Sequence, residues 1–164
     1  MSNVRPRMEP SSLFETVLVA ALREVTARAL PVFTFALYHD HESGAVSVCV
    51  DTEDSSAKVV ASMNRYNMGY FAKAVASGDL KAASLWQANI GRSLSLGDFA
   101  LVNVARTALG PVVVNEKFYL SMVQAVMAVQ ERVLALSPDP ERLVFACSGP
   151  NDEVAYVWSA QSGA

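Results

Sequence analysis

The chain has 164 residues, 52% of them hydrophobic and 18% charged, which suits one folded domain with a substantial core and excludes intrinsic disorder. A formal net charge of -3, with no basic stripe between the aromatic residues, argues against nucleic acid as a partner. Two cysteines, Cys49 and Cys147, without CxxC spacing argue against a zinc site or a disulfide framework and read as small buried hydrophobes.

No stretch approaches the ~20 apolar residues of a membrane span. The run Val17 to Leu22, hemmed in by Glu15 and Arg23, is too short for a secretory signal core, so the expected setting is the cytoplasm. Residues 1–10 read as a flexible leader, 11–160 as a single domain and 161–164 as a tail.

"SSLFE" sets Ser12 three residues before Glu15, the spacing of a capping box. A helix is predicted after it, with Phe14, Val17, Leu18, Ala21, Leu22, Val25 and Ala29 as its apolar face and Pro31 as its stop. The period then becomes alternating. Phe33, Phe35 and Leu37 oppose Val32, Thr34, Ala36 and Tyr38, and the apolar character of both sets predicts a central strand. Across the turn-forming "DHESG", Val46, Val48 and Val50 alternate with Ala45, Ser47 and Cys49, completing a hairpin.

From Ser55 to about Val75 the residues Val59, Val60, Met63, Tyr66, Tyr70, Phe71 and Ala74 predict a second helix whose aromatic residues belong to the core. Gly78-Asp79 ends it and opens a short helix reaching Trp86. Residues 90–114 allow two readings: a helix capped by Asp98 and bearing Phe99, Val102, Ala105 and Leu109, or a strand at "ALVNVA". Asn115 begins a clear helix with Tyr119, Met122, Val123, Val126 and Val133 on its buried stripe, ended by "SPDP". Leu143, Phe145 and Cys147, then Val154, Tyr156 and Trp158, alternate around "SGPND" and predict a second hairpin. The expected fold is α+β: an antiparallel sheet of about four strands from two hairpins, covered by three to five helices.

Sequence motifs for catalysis are absent: there is no G-x-G-x-x-G, G-x-x-x-x-G-K, H-E-x-x-H or G-x-S-x-G. The only histidines, His39 and His41, are two apart, so on a continued strand both rings face one side while Asp40 and Glu42 face the other. Two imidazoles need a third ligand to hold a metal, and the simpler reading is a polar hairpin tip exposed to water.

Charge is unevenly placed. From His39 to Asp54 lie Asp40, Glu42, Asp51, Glu53 and Asp54 without a lysine or arginine, and after Ser137 Asp139, Glu141, Asp152 and Glu153 face only Arg142. Between Ser55 and Leu136 eight bases outnumber four acids. If the hairpins share a sheet, their tips and exits form an acidic rim suited to a basic protein surface.

"FTFALYHD", "VDTED", Leu85-Trp86, "DFALVNVAR" and "LVFACSGPNDE" together resemble the bacterial family catalogued as domain of unknown function 4303, over about Leu13 to Trp158. The chain departs from that pattern at Asp51, where relatives tend to have Asn, and near Trp86, where relatives are often richer in acids and aromatics. The family carries no established catalytic residues. Its resemblance to small immunity proteins implies a partner that is a toxin domain. The expectation is therefore an immunity-type binding protein with no catalytic residue, cofactor or metal. Its contact residues would be Asp40, Glu42, Asp51, Glu53, Asp54, Asp152 and Glu153, and a homodimer is an open option. The alternative is a small metal-dependent hydrolase using His39, His41 and a carboxylate.

Overall fold

The computed structural model describes residues 9–160, so the expected tail and most of the expected leader lie outside the described residues. Helix α1 (Pro10–Arg28) buries Leu13, Phe14, Val17, Leu18, Ala21, Leu22 and Val25, the predicted stripe except for Ala29. Ala29 instead closes the helix in the left-handed region at φ 49°. The capping box does not form. The helix starts earlier, at Pro10, whose missing amide is harmless in a first turn, and the Ser12 carbonyl accepts a bond from Thr16 Oγ1 at 2.9 Å.

Strands β1 (Thr34–Asp40) and β2 (Ala45–Asp51) form the predicted hairpin, with Leu37 opposite Val48 and Phe35 opposite Val50. Strands β4 (Val144–Cys147) and β5 (Tyr156–Trp158) form the second. The two hairpins join through a parallel pairing of β1 with β4, Phe35 beside Phe145 and Leu37 beside Cys147. A fifth strand, β3 (Leu101–Ala108), pairs with β2, and the order is β3-β2-β1-β4-β5. The sheet is therefore mixed and five-stranded, which corrects the expectation of about four strands, all antiparallel.

Asp98 caps no helix: a short turn at Leu96–Asp98 leads directly into β3. The register of β3 slips between Val48 and Val50 of β2, and Asn103 takes a positive φ of 56°. A bulge of this kind shifts the alternation by one residue, which is why the segment fits neither period cleanly. Ser47 Oγ bonds Asn103 Oδ1 at 2.6 Å and steadies the irregularity.

The helix-facing side of the sheet is apolar: Phe35 and Leu37, Val46, Val48 and Val50, Phe145 and Cys147. Helix α1 lies over β2 and β3, and helix α4 (Glu116–Leu134) over β1 and β4. Asn115 caps α4 by accepting the Phe118 amide at 3.0 Å. Where the two helices meet, Phe14 and Phe118 pack edge to face with centroids 5.2 Å apart. Along the parallel seam Phe35 meets Phe145 edge to face at 6.3 Å, and Phe145 stacks on Trp158 at 5.7 Å.

The other side presents small residues, Ala36, Cys49 and Ala146, covered by Leu96 and Phe99. Both cysteines are free and buried, and burial pushes the Cys147 thiol up to about 12.

Helix α2 (Glu53–Ala76) begins at Thr52, whose Oγ1 accepts the Ser55 amide at 3.2 Å. Its predicted apolar stripe does not enter the core, which is a correction: of its 24 residues only Ser56 is buried. The sheet face it would cover already carries the 93–100 segment, so α2 runs out from the body and packs chiefly on α3 (Leu80–Ala83) and the turn Ser84–Trp86. Asp79 caps α3 through the Ala82 amide at 2.9 Å, as its position before the short helix predicts.

Phe118 touches Phe14, His39 and Tyr119 and is 1% exposed. Replacing it with alanine removes about 3–5 kcal/mol, and thermal unfolding monitored by circular dichroism should show the midpoint falling by roughly 10 °C. Met127→Ala, on the outer side of the same helix, should change stability by less than about 0.5 kcal/mol.

Candidate functional site

Because β1 and β4 run parallel, the turn after β1 and the turn after β4 emerge at the same end of the sheet. Asp40 and Glu42 belong to the first turn, Asp152 and Glu153 to the second. Ser148 ties the two together: its hydroxyl accepts the His39 amide at 3.0 Å and donates to the Glu153 carbonyl at 2.6 Å. Tyr38, just inside this end, has its phenol pKa raised first by burial and then by Asp40, Glu153 and Glu42.

Asp40 organises its own turn. Its Oδ1 accepts the Glu42 amide at 3.1 Å and the Ser43 amide at 3.3 Å, while Oδ2 takes the Ser43 hydroxyl and, at 2.8 Å, Arg106 Nη2. The bonds from Ser43, and then from Arg106, hold the Asp40 carboxyl well below the usual carboxylate range. Glu42, Asp152 and Glu153 are exposed and have no ion-pair partner among the described residues. Gly149 opens the second turn where a Cβ would come within 2.6 Å of the Ala155 Cβ, so only glycine fits that close approach.

The remaining expected contact residues lie elsewhere. Asp51 ends β2 and Glu53 and Asp54 follow it, at the opposite end, about 20 Å away along a seven-residue strand. Asp51 is fully buried and cannot meet a partner. Its Oδ1 accepts the Thr52 and Ala100 amides, each at 3.0 Å, fastening the end of β2 to the entry of β3. Its Oδ2 is buried without a hydrogen-bond partner, and burial raises the carboxyl pKa against the opposing effect of those amides. Glu53 pairs with Arg142, and Asp54 is exposed in the first turn of α2. The single acidic rim is thus two separate acidic ends.

The histidines also divide. His41 stands at the exposed turn, whereas His39 is 3% exposed within β1, against the expectation that both occupy an open tip. Their rings do share a face, with centroids 4.0 Å apart. His39 Nδ1 lies 3.0 Å from the Tyr119 hydroxyl and its ring packs edge-on to Phe118. Burial, and then the His41 imidazole, lower the His39 pKa from 6.5, with Asp40 opposing. Among the described residues no group of three or more His, Cys, Asp or Glu side chains can hold a metal ion.

Beside the acidic end lies an open groove of about 670 Å³ between α4 and the edge strand β5, with Tyr119, Leu120, Val123 and Tyr156 as its apolar lining. Glu116 and Lys117 at its rim offset each other. Periodicity alone assigns Tyr119 and Val123 to the core and does not reveal the groove. The signal for it was Leu120, a large apolar residue off the buried stripe that is 56% exposed.

Among the described residues no helix is long and apolar enough to cross a membrane. Comparison with protein-family models, with curated proteins and with solved structures returned no match.

His39 yields a pH prediction. Its folded-state pKa lies below 6.5, so the unfolded chain takes up the proton first and stability falls as the pH drops below that value. Urea unfolding should show the midpoint falling as the pH drops below 6.5, with a flatter pH profile in His39→Gln. An identical pH profile in the two proteins would assign the sensitivity to other groups.

Proposed function

We propose that this chain is a binding protein of the immunity type, which masks a basic protein surface such as the substrate cleft of a toxin domain. Asp40, Glu42, Asp152 and Glu153 supply the electrostatic contact, and the groove between α4 and β5 receives an apolar or aromatic anchor from the partner. The observation that carries this reading is the meeting at one end of the sheet of two turns far apart in sequence, which carry Asp40, Glu42, Asp152 and Glu153, beside an apolar groove. Such a surface combines long-range steering with a desolvated centre, the pairing that fast and tight protein recognition uses. The family resemblance points the same way, and the hydrolase alternative lacks a third ligand near its two imidazoles among the described residues.

The test is affinity capture from a bacterial lysate at low and high salt, with the bound protein identified by mass spectrometry. Wild-type protein should retain a basic protein that high salt releases. The triple variant Glu42→Gln, Asp152→Asn, Glu153→Gln should bind that protein with an association rate lowered roughly tenfold and with weaker salt dependence. Equal rates at every salt concentration would remove the acidic end from the interface. Asp40 stays unchanged in this variant because it also holds its own turn.

A further inference from the structure

The groove between α4 and β5 has one polar group tied to a histidine. Tyr119 lines the groove and sets its hydroxyl 3.0 Å from His39 Nδ1, and both side chains are almost fully enclosed, Tyr119 at 4% and His39 at 3% exposure. Tyr119 therefore stands between the buried imidazole and the open groove. The groups around His39 are few. From α4 come the Tyr119 hydroxyl and the Phe118 ring, its centroid 5.2 Å away. From its own strand and turn come His41, with centroids 4.0 Å apart, and Asp40, whose carboxylate is already held by Ser43 and Arg106. Val46 of β2 lies opposite His39 and Ser148 after β4 meets its backbone amide, and neither brings a charge. Burial, and then the His41 imidazole, oppose a proton on the ring, while Asp40 favours it.

A proton on His39 changes Tyr119 as well. The neutral ring with its hydrogen on Nε2 leaves Nδ1 as an acceptor, so the phenol O–H donates to it and the Tyr119 oxygen keeps lone pairs for the groove. In the imidazolium both ring nitrogens donate. Nδ1–H then points at the Tyr119 oxygen, and the phenol hydrogen must turn away from the ring, toward the groove that Tyr119 lines.

We propose that Tyr119 makes the groove select an anchor carrying a hydrogen-bond donor, and that a proton on His39 releases that anchor. This inference rests on the reading of the acidic end as a docking surface for a basic protein, and it adds the polarity of the groove and its control by pH. A basic partner brings ammonium, guanidinium and amide N–H groups. While His39 is neutral, the Tyr119 oxygen accepts one of them beside the carboxylates of Glu42, Asp152 and Glu153. Once His39 is charged, the groove sets a donor against a donor and a buried cation against a cationic partner, so mild acid weakens the complex.

Nuclear magnetic resonance of the full chain tests both steps, with the peptide acetyl-Lys-Tyr-Lys-amide as the probe. Without peptide, the Leu120 and Val123 methyl signals should titrate with the midpoint of the His39 ring, and in Tyr119→Phe they should not. With peptide, the dissociation constant read from those methyls should be roughly fivefold larger at pH 5 than at pH 7.5, and bound peptide should lower the pH at which His39 titrates, as reciprocity requires. His39→Gln, which stays neutral, should bind equally at both pH values. His41→Asn removes a group that opposes the proton, so it should keep the pH dependence and move its midpoint to higher pH. A dissociation constant that is no larger at pH 5, or that rises as steeply in His39→Gln as in wild type, would overturn the proton link and leave the acidic end as it stands. A peptide that perturbs Leu120 and Val123 at neither pH would overturn the groove as a site and take the apolar anchor out of the proposed function with it.

Discussion

The parallel pairing of β1 with β4 is the constraint on which the rest of the structure depends. Each hairpin is local and closes on its own turn, but neither says at which end of the molecule its acids will stand. Setting Phe35 beside Phe145 and Leu37 beside Cys147 fixes both at once. It buries two phenylalanines against each other under α4 and brings the turns at Asp40 and Asp152 to the same end. An antiparallel join would have sent those turns to opposite ends and left the groove beside β5 without its acidic neighbour. Ser148 reads out the arrangement, since one hydroxyl satisfies the His39 amide of β1 and the Glu153 carbonyl before β5.

The sheet is covered unequally on its two faces. Its large side chains, Phe35, Leu37, Val46, Val48, Val50 and Phe145, all point toward α1 and α4. Each buried side chain of this size contributes about 1.5–3 kcal/mol, so that layer supplies most of the stabilisation. The small residues of the other face, Ala36, Cys49 and Ala146, leave room only for Leu96, Phe99 and the loop that carries them. Helix α2 consequently has no sheet to cover, and its apolar stripe is left largely exposed. The exposed stripe of α2 thus follows from a core that needs two helices and turns the third away.

Much of this was legible in the sequence wherever one period dominated. The stripes of α1 and α4 and the alternation of β1, β2, β4 and β5 translate directly into buried faces, because each element meets the core along one side. Where the physics was not local, the reading stopped. Nothing in "LVFAC" distinguishes a strand that pairs parallel with β1 from one that pairs antiparallel. The bulge at Asn103 put β3 out of phase with any single template. The stripe of α2 is as regular as that of a buried helix, since periodicity marks a face to be covered without naming what covers it. Asp51 looked like one acid among several, and only its amide partners from Thr52 and Ala100 make it an internal fastening. His39 looked like part of a polar tip because its burial comes from Phe118 and Tyr119, some eighty residues away.

The convergence of the two acidic turns is the claim that supports the functional reading, and a distance measurement addresses it without knowledge of the partner. Spin labels placed at Glu42 and Asp152, and in a second protein at Asp54 and Asp152, can be compared by pulsed dipolar spectroscopy. The native cysteines, Cys49 and Cys147, are buried and should take no label. The structure predicts that the first pair lies clearly closer than the second, whose members are set apart by the length of β1, about 20 Å. Equal distances, or a shorter one between Asp54 and Asp152, would contradict the parallel join and with it the shared acidic end.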